Sequence, residues 1–321
     1  MTAPTRPLVD TPLAAGDPDR IRRAGKLAST VARRLALPEP VLLRVSMNAV
    51  YESGAAIIRV GRATTDPLVA VELATYLTES GLRVPAPFTH ASFRHDEKDD
   101  SLWATVWHRI TADPSSDIDW RTIGADVRRL HSLDIAEVRS RQPLPFGGEF
   151  AWWNIGRVLT NFDERVHALV GDDVLQSLTD SWERLRWALD ATRTPTIDSP
   201  LVVCHGDVHP GNIMVDAASS SPVLIDWDLV CLAPAAWDHA ALMTWSERWG
   251  GGARIYDEFA SGYGVDLRDD ALARDLSQLR LLAATVMRIT AAVDDPIGIE
   301  EMWRRIRYWT DRPESPQWTA V

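Results

Sequence analysis

Lysine is almost absent from this chain: Lys26 and Lys98 are the only two, and arginine carries nearly all of the positive charge. The formal net charge is −11. No basic footprint is available to neutralise a phosphate backbone, which argues against nucleic acid as the natural partner. A cationic or neutral small substrate suits such a surface better. Cysteine is equally scarce. Cys204 and Cys231 are too few for a disulfide framework, and the expectation is two buried free thiols in a reducing compartment. No uninterrupted apolar run approaches the ~18 residues of a membrane span, and Met1 to Asp17 lack an apolar signal core. A cytoplasmic location without a membrane partner is therefore expected. Two common chemical signatures are missing as well. Gly25-Lys26 has no upstream glycine at P-loop spacing and no Ser or Thr after it, and no Gly-x-Ser-x-Gly elbow occurs.

What is present is enough apolar material, 45 % of 321 residues, for one large domain or two lobes. Residues 1–16 read as loose. Helical spacing of Ile21, Ala24, Ala28, Val31 and Leu35 ends before Pro38 and Pro40. Strand-like runs follow at Val41–Val45, Ala49–Glu52 and Ala56–Val60, the last two joined through Ser53-Gly54. A helix is predicted from Leu68 to Ser80 with Gly81 as its stop. On it Val69, Glu72, Leu73 and Tyr76 share a face, and an acid on an apolar stripe costs energy unless partnered. Further strands are predicted near Pro87–Ser92 and at Leu102–Trp107. From Asp119 onward helix dominates, with stripes at Ile123–Leu133, Ile155–Leu169, Val174–Leu189, Trp237–Trp249, Ala253–Tyr263, Leu272–Val293 and Ile299–Trp309. The pattern is an α+β chain in two lobes: a β-rich one over 17–108 and a larger helical one over 109–321.

The densest chemistry lies in Cys204-His205-Gly206-Asp207-Val208-His209-Pro210-Gly211-Asn212, followed by Asp226 in Val223-Leu224-Ile225-Asp226-Trp227-Asp228. Asp207 sits in a loop punctuated by Gly206, Pro210 and Gly211, within reach of a substrate hydroxyl as a base. Asn212 precedes an apolar run that suggests a hairpin closed at Ser219–Pro222, and Asp226 follows its second strand. Two carboxylates and an amide are the oxygen donors that a hard divalent cation prefers. Phosphoryl transfer relies on such positioning and electrostatics.

This block is similar to the catalytic loop of the aminoglycoside phosphotransferase and choline kinase superfamily, in which His-Gly-Asp is followed five residues later by Asn. The resemblance implies a bilobal protein-kinase-like fold, ATP or GTP as donor, Mg2+, and a small-molecule hydroxyl as acceptor. It implies Asp207 as the catalytic base, Asn212 and Asp226 as magnesium ligands, and Asp228 as a second metal contact. It also implies that Ser46 and Asn48 lie over the phosphates, that Arg59 is the strand cation on them, and that Glu72 is the helix acid paired with Arg59. Trp107, His108, Arg109 and Ile110 would form the hinge that holds the base, and Asp238 would brace the catalytic loop. Two positions depart from the family pattern: the Ser46–Ala49 loop lacks a glycine pair, and arginine stands at 59 where lysine is usual.

Other readings compete with this one. A catalytically silent nucleotide- or ligand-binding protein on the same scaffold is the alternative. A protein kinase is disfavoured, since Asp228 to Trp237 leaves little room for an activation segment. A zinc site at Cys204, His205, His209 and Cys231 lacks separated ligand pairs. Trp152, Trp153, Trp245 and Trp249 suit a sugar or cation pocket or, more simply, core packing.

Overall fold

A computed structural model describes residues 18–45, 48–62, 67–95, 101–113, 115–150, 153–196, 199–293, 296–310 and 317–319. The chain divides into two compact units that alternate along the sequence. Unit 1 comprises Met1–Ile118, Asp134–Pro143 and Ile213–Asp228; unit 2 comprises Asp119–Leu133, Leu144–Asn212 and Leu229–Val321. The helices are α1 (Pro18–Arg34), α2 (Leu68–Glu79), α3 (Trp120–His131), α4 (Ile135–Arg141), α5 (Ile155–Thr160), α6 (Glu164–Val170), α7 (Asp172–Ala191), α8 (Ala236–Met243), α9 (Trp245–Arg248), α10 (Ile255–Tyr263), α11 (Ala271–Ala292) and α12 (Ile299–Thr310). The strands are β1 (Val41–Val45), β2 (Ala49–Ser53), β3 (Ala56–Gly61), β4 (Phe93–His95), β5 (Leu102–His108), β6 (Leu201–Cys204), β7 (Ile213–Asp216), β8 (Ser221–Leu224) and β9 (Cys231–Pro234).

In unit 1 a five-stranded sheet runs in the order β1-β2-β3-β5-β4, and every neighbouring pair is antiparallel. β2, β3 and β5 alternate buried with half-buried residues, the period of a pleated strand with one face on a core. That core is built from Ile58, Val60, Leu102, Ala104 and Val106 packed against Ala24, Leu27, Ala28 and Val31 of α1. Val71 and Ala74 of α2 pack with Trp107 of β5. Unit 1 also takes in α4 and the antiparallel β7–β8 hairpin, both from beyond residue 109.

Unit 2 is mostly helical. Its two strands, β6 and β9, pair antiparallel with Cys204 opposite Cys231, and both cysteines are free and buried. Phe259, Leu276, Leu282, Val286 and Ile289 are among its buried apolar residues.

Several elements differ from the sequence expectation. The predicted strand near Pro87–Ser92 is reduced to one bridge, Pro87 to Trp107, because proline cannot donate to a ladder. The pairing resumes at β4. The helix expected over Ile155–Leu169 is two helices: α5 ends at Thr160, and Asp163 caps α6 by accepting from the N–H groups of Arg165 and Val166. Trp237–Trp249 likewise divides into α8 and α9 at Thr244. α4 was not anticipated; its cap is Asp134, which accepts from the Glu137 N–H at 3.0 Å.

Candidate active site

The loop leaving β6 carries Asp207. Gly206 has φ +93°, and a Cβ there would run into the carbonyl oxygen of Leu229, so only glycine fits. The loop's first two N–H groups, of His205 and Gly206, donate to the two carboxylate oxygens of Asp238 at 2.8 Å each. Asp238, on α8, is fully buried. His131 Nε2 lies 3.0 Å from the same carboxylate, and His131 Nδ1 lies 2.8 Å from the Tyr263 hydroxyl. Burial opposes ionisation of Asp238. The His131 hydrogen bond and charge, the His205 charge and the Gly206 N–H together hold its pKa below the usual range. An ionised acid thus braces the loop at its base.

The Asp207 side chain is about one-third exposed (31 %). Its Oδ2 accepts from Asn212 Nδ2 at 3.1 Å and faces His209 Nε2 at 3.3 Å. Its Oδ1 accepts from Arg280 Nη1 at 3.2 Å, while Arg280 Nη2 donates to the Gly206 carbonyl at 2.5 Å. His209 Nδ1 accepts from the Gly211 N–H at 3.0 Å, which leaves the Nε2 hydrogen for Asp207. Burial raises the Asp207 pKa, but the His209 hydrogen bond and charge, with the charges of Arg280 and His205, drive it well below the carboxylate range. Asn212 closes the loop: its Nδ2 also donates to the Asp207 carbonyl at 2.9 Å. His209 stacks on Trp245 (5.2 Å, 9°), which stacks on Trp249 (5.7 Å, 26°).

Unit 1 holds a second charged cluster. After β8 the backbone turns through Asp226, which takes φ +65°. That left-handed conformation is unusual for a residue with a Cβ and is typical of functional turns. Arg59 of β3 grips Asp228 with both terminal nitrogens, Nη2 to Oδ2 at 2.6 Å and Nη1 to Oδ1 at 3.2 Å, and reaches Asp226 Oδ1 at 3.4 Å. Asn48 Nδ2 donates to Asp228 Oδ2 at 3.1 Å, and Arg44 of β1 lies 3.8 Å from Asp226 Oδ2. Burial works to lower the Arg59 pKa; Asp228, then Asp226, reverse this and raise it overall.

The remaining expected positions have less to show. Ser46 lies outside the described residues, as does Trp152. Glu72 is a correction. It is exposed, and Arg59 binds Asp226 and Asp228 instead. The buried residues of α2 are Val71, Leu73, Ala74 and Leu77, which at 100° per residue lie on the other side of the helix from Glu72. In the 107–110 segment, Trp107 is packed in the core and its indole N–H donates to Thr105 Oγ1 at 2.9 Å. The N–H groups of His108 and Arg109 are already committed to the Ala86 and Ala55 carbonyls at 2.8 and 2.9 Å, and the Arg109 guanidinium pairs with Glu52 at 2.9 Å. Ile110 follows, half-buried.

Comparison with known proteins decides the family. A model of the phosphotransferase enzyme family, APH, matches residues 52–282 of the 321. The chain belongs to this phosphotransferase family. Among curated proteins none matches its sequence. Among solved structures, spectinomycin phosphotransferase APH(9)-Ia in complex with ADP and spectinomycin is similar, with TM-score 0.59, 17 % identity, and 89 % of this chain and 94 % of that one covered. The GDP and kanamycin complex of APH(2")-IIia gives TM-score 0.60 at 12 % identity over 88 % and 96 % of the two chains. A microcompartment-associated aminopropanol kinase gives TM-score 0.60 at 19 % identity over 89 % and 99 %. The fold of this phosphotransferase is therefore protein-kinase-like, an N-terminal five-stranded antiparallel sheet with a larger helical C-terminal part.

Within unit 1 of the phosphotransferase the acidic pair suits a hard cation, and within unit 2 an amide oxygen is available. Asp226 and Asp228 are oxygen donors, one-third and less than half exposed (32 % and 42 %), and they share one cationic nitrogen. Asn212 uses its NH2 on Asp207, which points its carbonyl oxygen elsewhere as an acceptor. All-oxygen donors favour magnesium over zinc. A separate group, His131, Cys204 and Asp238, comes within 4.8 Å, but Asp238 already accepts three hydrogen bonds and burial keeps the Cys204 thiol protonated. Sequence reasoning missed Arg280 and His131. Arg280 had a readable signal: a charge beside the buried Leu276, Leu279 and Leu281 of α11 needs a partner.

Proposed function

We propose that this phosphotransferase transfers the γ-phosphoryl group of ATP or GTP to a hydroxyl of a small polar molecule, in the class of aminoglycoside-like antibiotics, amino sugars or amino alcohols. The observation that carries this reading is the state of Asp207: a partly exposed carboxylate held ionised by His209 and Arg280 and tied to Asn212. Such a group cannot act as an acid. It accepts a hydrogen bond from an incoming hydroxyl, fixes that oxygen for attack, and takes its proton as the bond to phosphorus forms.

In this reading Asn212 and Asp226 would hold Mg2+, with Asp228 as a further contact. Magnesium, when bound, withdraws charge from the phosphoryl oxygens. Arg59 supplies a guanidinium for the nucleotide phosphates, Asn48 lies beside it on Asp228, and 107–110 is the stretch for the base. Because the His108 and Arg109 N–H groups are engaged, base recognition there falls to carbonyl oxygens or to the Ile110 N–H. Asp238 keeps the loop in place from below. The ADP and GDP complexes of the similar structures support a nucleotide donor, and their spectinomycin and kanamycin, with aminopropanol, span the acceptor classes. A nucleotide-consumption screen against amino sugars, antibiotics, amino alcohols and simple sugars tests the proposal. At least one hydroxyl acceptor should stimulate consumption in a magnesium-dependent way; metal-independent binding with no transfer to any acceptor would instead mark a silent binder.

A further inference from the structure

Asp226 and Asp228 place two negative charges on one turn, and like charges this near each other need a cation between them. In unit 1 that cation is Arg59: its Nη2 contacts Asp226 Oδ1 and Asp228 Oδ2 at once, at 3.4 and 2.6 Å, and its Nη1 closes a fork on Asp228 Oδ1 at 3.2 Å. We propose that Arg59 is a resident counter-cation that occupies the carboxylates in the divalent ion's stead and must be exchanged for it, so that metal and nucleotide bind together rather than metal first. The inference rests on the reading of Asp226 as a metal ligand.

Three features support it. The oxygens that Arg59 engages are the ones a hard cation would take, and two cations cannot share them at contact distance without strong repulsion. Only one stays. Arg59 is also able to leave, since its side chain is 24 % exposed. Finally, arginine is the residue that makes this lock. A planar fork grips a carboxylate through two parallel hydrogen bonds, whereas the ammonium of lysine binds as a single point charge. The arginine at position 59, a departure from the family's usual lysine, thereby gains a physical consequence. A displaced guanidinium needs another anion, and the nucleotide phosphates supply it. Arg44 contributes less, since it stands 3.8 Å from Asp226 and is more than half exposed (55 %); Asn48 holds Asp228 without charge.

The test measures Mn2+ affinity by electron paramagnetic resonance for wild type, Arg59→Lys, Arg59→Met and Asp226→Asn, first without nucleotide and then with ADP. Without nucleotide, Arg59→Met should bind Mn2+ about tenfold tighter than wild type, a usual coupling between two sites, with Arg59→Lys in between. ADP should then tighten Mn2+ binding in wild type more than in Arg59→Met. The apo form of Arg59→Met should melt lower than wild type, with Mn2+ restoring it; Arg59→Lys keeps the charge and guards against a variant that fails to fold. Equal or weaker Mn2+ binding by both arginine variants overturns the exchange while leaving the metal ligands standing. Mn2+ binding undiminished by Asp226→Asn, or absent even with ADP, overturns the metal reading itself and the exchange with it.

Discussion

Asp207 and Arg280 carry the account at the scale of single residues. Asp207→Asn removes the charge but keeps the shape, and Asn212 and Arg280, both largely buried, keep their bonds to the Asp207 and Gly206 carbonyls. Turnover should fall by the ~10²–10⁴-fold typical of a lost general base, with the thermal midpoint changed little; unchanged turnover would remove Asp207 from the reaction. Arg280 tunes that base. Its guanidinium lies against the rings of Trp153 and Trp237, 5.5 and 5.4 Å from their centroids, and points both terminal nitrogens at the loop. The folded pKa of Asp207 is depressed, so in wild type the carboxylate protonates only well below its ordinary pH. Arg280→Gln removes one of the charges responsible, and the acid limb of kcat/KM should then move up toward the ordinary range of about pH 4. An identical profile in the variant would mean that Arg280 does not set the ionisation of Asp207.

Elements decide which of these residues could be foreseen. The hairpin β7–β8 and the loop before it were legible because glycine, proline and asparagine mark turns by local chemistry alone. Gly206 shows how strict that chemistry is. Gly206→Ala puts a methyl against the Leu229 carbonyl at φ +93°, and chemical denaturation should report a loss of at least ~2 kcal/mol, together with lost activity; a variant as stable as wild type would refute the close approach. Helix faces were read less well. Glu72 was assigned a buried partner from a stripe that the structure turns to the other side of α2, because which face meets the sheet is a tertiary choice that periodicity in a short helix underdetermines. The same reasoning, applied to Arg280 beside Leu276 and Leu279 on the long α11, would have succeeded. The α5–α6 break was written in Asn161-Phe162-Asp163, a stop followed by a cap, beneath an apolar pattern that runs through it. The partners of Arg59 were beyond reach, since Asp226 and Asp228 lie 167 and 169 positions away.

Across the whole molecule, stability should depend on pH through His239. It is fully buried on α8, and its Nδ1 lies 3.0 Å from the Tyr256 hydroxyl. Burial first, and the nearby His131 charge second, push its pKa from 6.5 down to about 4, against the pull of Asp238 and Asp266. Between those values the unfolded chain binds a proton that the folded chain refuses. The stability is therefore complete above about pH 6.5 and declines as pH falls toward 4, by up to ~3 kcal/mol from this residue. Urea midpoints at pH 7.5 and 4.5 should separate widely for wild type and less for His239→Gln; equal separations would refute it. Among the described residues no helix is long and apolar enough to cross a membrane. The most direct test of the central claim is phosphoryl transfer itself, followed with radiolabelled γ-phosphate across the acceptor panel for wild type, Asp207→Asn and Asp226→Asn. Label should reach a hydroxyl acceptor with wild type and magnesium and be lost by orders of magnitude in both folded variants. Transfer that survives intact in either one would contradict the account.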